Sequence, residues 1–299
     1  MAHSSKMRIL LAVPLSVALI FSGACSKLGT GSDATGSPTS PSGPPALGSA
    51  LVYSAVGASD VLGYGSTTPC FPFEDCNGTG YVWVAARQLR SQGHTVTVGN
   101  LGIPAAVISR SFQDLGSQNG RLNPGNLIEQ EMPFVSREAD VVTVFTGAND
   151  VNNITAALGN GAGGSDPAAY IDQKVATFAA DYSTLINGIR GRATKSRIIV
   201  LNLPNMAALP FLATASLAQK QAAQRASVRM TTTAINTLQG VTVIDLLCDA
   251  RMYQSSYYSS DGFHPNDAGY AFLGGEVARA LTNSSYAAPR SSCPQMTLF

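Results

Sequence analysis

The chain has 299 residues, enough for one large domain or two small ones. Charged residues make up only 12%, against roughly 25% in an average soluble protein, and the formal net charge is +1. Without residues 1–24, which carry Lys6 and Arg8 and no acid, 17 basic residues face 18 acidic ones, a balance that gives no footing for nucleic-acid binding, which asks for a basic face.

The chain opens on a targeting pattern. Lys6 and Arg8 precede 13 mostly apolar residues, 9–21. That run fits the core of a signal peptide and falls short of the ~20 residues that span a bilayer. Phe21-Ser22-Gly23-Ala24-Cys25 follows. Small residues before a cysteine resemble a bacterial lipobox, in which Cys25 would be lipidated and become the new N-terminus. Residues 1–24 are therefore expected to be a signal peptide of the lipoprotein type. Ser22 departs from the lipobox, where leucine is usual, and Ser22-Gly23-Ala24 also suits ordinary signal peptidase, which would leave a periplasmic or secreted protein. Serine after Cys25 points, by analogy with bacterial sorting, to an outer membrane where the cell has one. Residues 25–49, with Gly36-Ser37-Pro38-Thr39-Ser40-Pro41-Ser42-Gly43-Pro44-Pro45, cannot bury enough apolar surface to fold and read as a flexible tether. A domain over 50–299 remains.

Within it, residues 51–56 form an apolar strand that runs into Gly57-Ala58-Ser59-Asp60. Residues 81–89 carry Val82, Ala85, Ala86 and Leu89 at helical spacing, with Trp83 read as core. Residues 94–98 alternate like a strand and lead to Asn100-Leu101-Gly102. Residues 139–145 are a buried-strand run ahead of Thr146-Gly147-Ala148-Asn149-Asp150. Residues 166–189 are a long helix with Ile171, Val175, Phe178 and Tyr182 on one face. A fourth strand, 197–201, an Ala- and Gln-rich helix, 213–238, and a fifth strand, 241–247, follow. Asn266 is placed to cap a last helix, 267–281. Strands alternating with long helices make an α/β domain with a mostly parallel sheet, and the near-continuous apolar strands fit burial on both faces. Sites in such sheets form at the carboxyl ends of the strands. Ser59, Gly102 and Asn149 follow the first three.

Besides Cys25 there are Cys70, Cys76, Cys248 and Cys293, an even number in a chain expected to be exported, which points to disulfides. Of the three connectivities, Cys70 with Cys76 and Cys248 with Cys293 are expected, closing a short loop after Ser59 and pinning the tail. There is no CxxC pair. The Gly161-Ala162-Gly163-Gly164 run lacks the Lys-Ser/Thr ending of a phosphate loop.

Only His94 and His264 lie in the domain, too few for a typical zinc hydrolase. His264 stands in Ser260-Asp261-Gly262-Phe263-His264-Pro265, with a carboxylate three residues upstream. A serine hydroxyl becomes a useful nucleophile when a base takes its proton and a carboxylate holds that base. Ser59, His264 and Asp261 are the candidates. A tetrahedral intermediate also needs donors for its oxyanion, which the Ser59 and Gly102 N–H groups and the Asn149 amide would supply. Tyr253, Tyr257 and Tyr258 are candidates to line a cleft.

These four blocks, in this order over roughly 51–282, resemble the SGNH hydrolase superfamily, the GDSL-type lipases and esterases. The resemblance implies a three-layer α/β/α sandwich with a flavodoxin-like sheet, a Ser59 nucleophile, His264 as base and acid, Asp261 as its orienter, and Ser59, Gly102 and Asn149 as the oxyanion hole. It implies hydrolysis of small-molecule, lipid or sugar esters without metal or organic cofactor. Membrane contact is expected only through the lipid anchor. Ala58 replaces the usual aspartate before the serine, Asp60 follows it, and Ala105 stands where a second glycine is frequent. A carbohydrate deacetylase is one alternative, and a tethered binding protein on an inactive hydrolase scaffold is another.

Overall fold

The computed structural model describes residues 43–298 except 73 and 75. The targeting segment, Cys25 and the tether up to residue 42 lie outside the described residues. The last of the expected tether is docked: the Gly43 carbonyl accepts from Arg197 Nε at 2.9 Å, and the Ser49 carbonyl accepts the Thr95 N–H at 3.2 Å.

Five strands form one sheet: β1 Ala50–Gly57, β2 Thr95–Asn100, β3 Val141–Phe145, β4 Arg197–Leu201 and β5 Thr242–Ile244. Their order is β2-β1-β3-β4-β5 and every pairing is parallel. β3, Val-Val-Thr-Val-Phe, is buried at all five positions, as a central strand covered on both faces must be. Valine and phenylalanine fill that double burial, each contributing about 1.5–3 kcal/mol over an exposed position. β5 stops sooner than its apolar run, because Asn202 Oδ1 takes the Leu246 and Leu247 N–H groups at 2.7 and 3.0 Å and draws the chain off the sheet.

Helices α1 Ser59–Leu62, α2 Tyr81–Ser91, α3 Arg110–Gln118, α4 Leu127–Gln130, α5 Ala148–Gly159, α6 Pro167–Arg192, α7 Leu217–Arg229 and α8 Asp267–Thr282 cover the sheet. α2 packs on α8 as one layer, while α7 packs on α5 and α6, and α3 on α5, as the other. Asp166 and Asn266 cap α6 and α8 through their side chains. The helix expected from residue 213 starts later, at a Ser216–Gln219 capping box, and continues beyond Arg229 as a π-helical turn, Met230–Ile235. Helices α3, α4 and α5 have no counterpart in the periodicity reading. Cys70 is bonded to Cys76 and Cys248 to Cys293, with Cα separations of 6.1 and 5.7 Å. Trp83 is buried in the core.

Switching helix layers about β1 and β3 leaves a crevice at the carboxyl ends of those strands.

Candidate active site

β1 ends at Gly57 and α1 begins at Ser59, so the serine stands at a sharp strand-to-helix turn. Gly57 makes that turn with φ +151°, and a Cβ there would collide with the Phe145 carbonyl and with Val61 Cγ2. Ser59 is the first residue of α1, where an N–H has no partner inside the helix. Its Oγ lies 2.8 Å from His264 Nε2, although 205 residues separate them.

His264 is fixed from the other side. Its Nδ1 is 2.6 Å from Asp261 Oδ2. The other carboxylate oxygen accepts from the Phe263 N–H, the His264 N–H and Ser259 Oγ at 2.8, 2.9 and 2.8 Å. Partial burial pushes the Asp261 carboxyl up, but these bonds, the His264 contact foremost, outweigh it and hold it down at about 2. An ionised carboxylate only accepts, so Nδ1 carries the proton and Nε2 presents its lone pair to the serine. Tyr64 stacks obliquely 5.9 Å from the imidazole, and Phe263 meets it edge-on at 4.9 Å. The Tyr64 loop closes in because Gly65 has no side chain, since a Cβ would lie 2.8 Å from His264 Cβ. A hydroxyl, an imidazole and a carboxylate in this chain can pass a proton away from the serine and leave it a nucleophile.

Asn149 lies in the first turn of α5. Its Nδ2 gives one proton to the Ala106 carbonyl at 3.0 Å and keeps a second for a ligand. Beneath it Asp150 accepts the Ile108 N–H at 3.0 Å, and burial pushes its carboxyl up to about 7. Together they fix residues 106–108 against α5. Ala105, in the place where glycine is frequent, adopts φ +58°, a left-handed conformation that disfavours a Cβ. The Gly102 N–H is already donated, to Asn100 Oδ1 at 3.1 Å, while Asn100 Nδ2 binds the Val61 carbonyl at 2.9 Å. Gly102 is thus beside the site, tied to β2 through its neighbour.

Asp60 does not cap α1 with its side chain. Tyr270, whose hydroxyl donates to the Tyr64 carbonyl at 2.6 Å, stands 3.4 Å from Asp60 Oδ1. Burial raises the Asp60 carboxyl, and His264 opposes that rise. The tyrosines divide. Tyr253 and Tyr258 donate to the Leu247 and Met252 carbonyls at 2.7 and 2.6 Å, and Tyr257 stacks on Phe272. Only Tyr258 lines the small apolar cavity that also borders Asp60, Ala148 and Phe263. His94 is outside the site, 3.2 Å from Ser49 Oγ.

One residue near the site went unread in the sequence. Glu131, which ends α4, is fully buried, and its Oε2 accepts the Gly57 N–H at 2.7 Å. Nothing local marks it. Among the described residues no group of three His, Cys, Asp or Glu side chains is arranged to hold a metal ion, and no helix is long and apolar enough to cross a membrane.

Residues 55–272 match the model of the GDSL-like lipase/acylhydrolase family. Among solved structures, the lipase Lip_vut3 from a goat rumen metagenome superposes with a TM-score of 0.51 and 21% identity, over 81% of this chain and 100% of that one. That likeness bears on the fold. Phospholipase A1 from Streptomyces albidoflavus gives 0.48 and 15% over 80% and 100%, and a family two carbohydrate esterase from Clostridium thermocellum gives 0.47 and 13% over 83% and 66%. No curated protein matches the sequence.

Proposed function

The chain belongs to the GDSL-like lipase/acylhydrolase family, and from that premise we propose that it is an exported serine esterase that hydrolyses carboxylic esters through an acyl-enzyme. The observation that carries this reading is the run of contacts from Ser59 Oγ to His264 at 2.8 Å and from His264 to Asp261 at 2.6 Å. His264 Nε2 takes the serine proton as Oγ attacks the ester carbonyl. The oxyanion is met by the Ser59 N–H and the free proton of Asn149 Nδ2. A charged oxyanion is a stronger acceptor than the Asn100 amide, so the Gly102 N–H can turn to it as charge develops. His264 then protonates the leaving alcohol, deprotonates a water, and the acid departs. No step calls on a metal or organic cofactor. Export, with Cys25 as a lipid anchor, rests on the pattern of residues 1–25.

Fluorophosphonate labelling tests the central reading without knowledge of the substrate. Label on Ser59, mapped by mass spectrometry and lost in His264→Ala, is expected. A folded sample that takes no label would favour the inactive binding scaffold. Rates on acetyl against octanoyl esters of 4-nitrophenol, and acetate release from acetylated polysaccharide, test the acyl length.

A further inference from the structure

Glu131 is a buried acid that the reaction as written does not use. It lies at 0% exposure, where a carboxyl is costly unless it holds something. What it holds is backbone. β2 pairs with β1 only as far as Ala55 opposite Asn100. Beyond that point the two chains still touch, with the Leu101 N–H on the Ala55 carbonyl at 2.9 Å and the Ile103 N–H on the Gly57 carbonyl at 3.2 Å. In a continuing parallel ladder the Gly57 N–H would go to a β2 carbonyl. It goes instead to Glu131 Oε2 at 2.7 Å. The other oxygen, Oε1, has no hydrogen-bond partner. The side chain therefore stands in for the strand where β2 swings away to form the Gly102 loop.

We propose that Glu131 is a positioning residue for the oxyanion hole, holding the Gly57 backbone, whose carbonyl in turn takes the Ile103 N–H, so that the Ser59 and Gly102 backbones keep the spacing a tetrahedral intermediate needs. Gly57 is two residues before Ser59, and Ile103 is one after Gly102. Burial pushes the carboxyl well above the usual carboxylate range, and a side-chain amide of the same length offers an acceptor oxygen at the same reach. That makes glutamine an adequate replacement. The inference rests on Ser59 being the nucleophile of an esterase.

Glu131→Met keeps the bulk and removes the acceptor, whereas Glu131→Gln keeps both. Turnover of 4-nitrophenyl acetate is measured per active site titrated with fluorophosphonate, so that unfolded molecules do not count. For Glu131→Met, kcat is expected to fall by about 10²-fold, the scale of losing one oxyanion donor, with KM changed less than about 3-fold. Glu131→Gln is expected to recover kcat to within about 5-fold of the parent. If the methionine variant does not fold, Glu131→Asp, one methylene short, supplies the same reading against glutamine. A per-site kcat within about 3-fold of the parent in the methionine or aspartate variant would overturn the proposal. So would a glutamine variant as slow as the methionine or aspartate one. Ser59→Ala is run alongside, because turnover surviving there would overturn the esterase reading itself, whatever Glu131 does.

Discussion

Ser59 follows a strand whose residues from Tyr53 to Gly57 are buried, so its backbone is set by the sheet and the core. His264 and Asp261 sit on a loop held mainly by side chains bonding backbone, with the Asp261 side chain 48% exposed and that of His264 17%. In that loop one Asp261 oxygen gathers two N–H groups and a hydroxyl, and Asn266 Nδ2 binds the Ser256 and Tyr258 carbonyls at 2.8 and 3.0 Å. Ser59 is placed by packing, which is dense and tolerates little. His264 is placed by hydrogen bonds that face water, each of modest net worth. One half of the site should therefore respond to changes in volume and backbone, and the other to changes in polarity.

The sharpest way to break this contrast is Asp261→Asn. The amide would keep the loop's shape but donate where the carboxylate accepts, turning the imidazole to the wrong tautomer. A fall in kcat of about 10⁴-fold is expected, measured as steady-state hydrolysis of 4-nitrophenyl acetate. A fall of less than about tenfold would mean that backbone alone orients His264. On the sheet side, Asn149→Ala should lower kcat by about 10²–10³-fold at little cost to stability, read from kcat and the thermal midpoint together. Ser259→Ala deletes one of four contacts to Asp261, and a drop of only about 2–5-fold is expected, since the remaining contacts share the load. The smallest effect concerns pH. The Asp261 carboxyl is depressed from 3.8 to about 2 in the folded protein. Its contribution to stability is therefore complete above about pH 4 and is lost as pH falls toward 2. Unfolding free energies of the parent and Asp261→Asn should differ by a constant above pH 4 and converge below it. The acid limb of kcat/KM above pH 4 should not report Asp261. Convergence already at pH 5–6 would contradict the assignment.

The layered fold was readable because β1, β3 and β4 are short apolar runs, α6 sets Ile171, Val175, Phe178 and Tyr182 at helical spacing, and α8 begins at the Asn266 cap. Ser59, Asn149 and the Asp261–His264 pair were readable because each sits just past an element end, in a motif with chemistry of its own. α3 was not, since Arg-Ser-Phe-Gln-Asp-Leu-Gly-Ser-Gln holds two apolar anchors among polar residues. Strand order was not, because register is a matter of pairing across the sheet. Glu131 was not either. In Ile128-Glu129-Gln130-Glu131 it has the look of a solvated turn, and its burial depends on a strand end 74 residues away. The Gly102 N–H shows the reverse failure: its position was readable, but not its bond to Asn100.

The chain comes into the sheet beside Arg197, at the amino end of β4, and the Ser59–His264 pair lies at the carboxyl ends, across the full length of the strands. A link made at Gly43 itself, to a bead or an electrode, would then leave the Ser59–His264 edge at the far end of the strands.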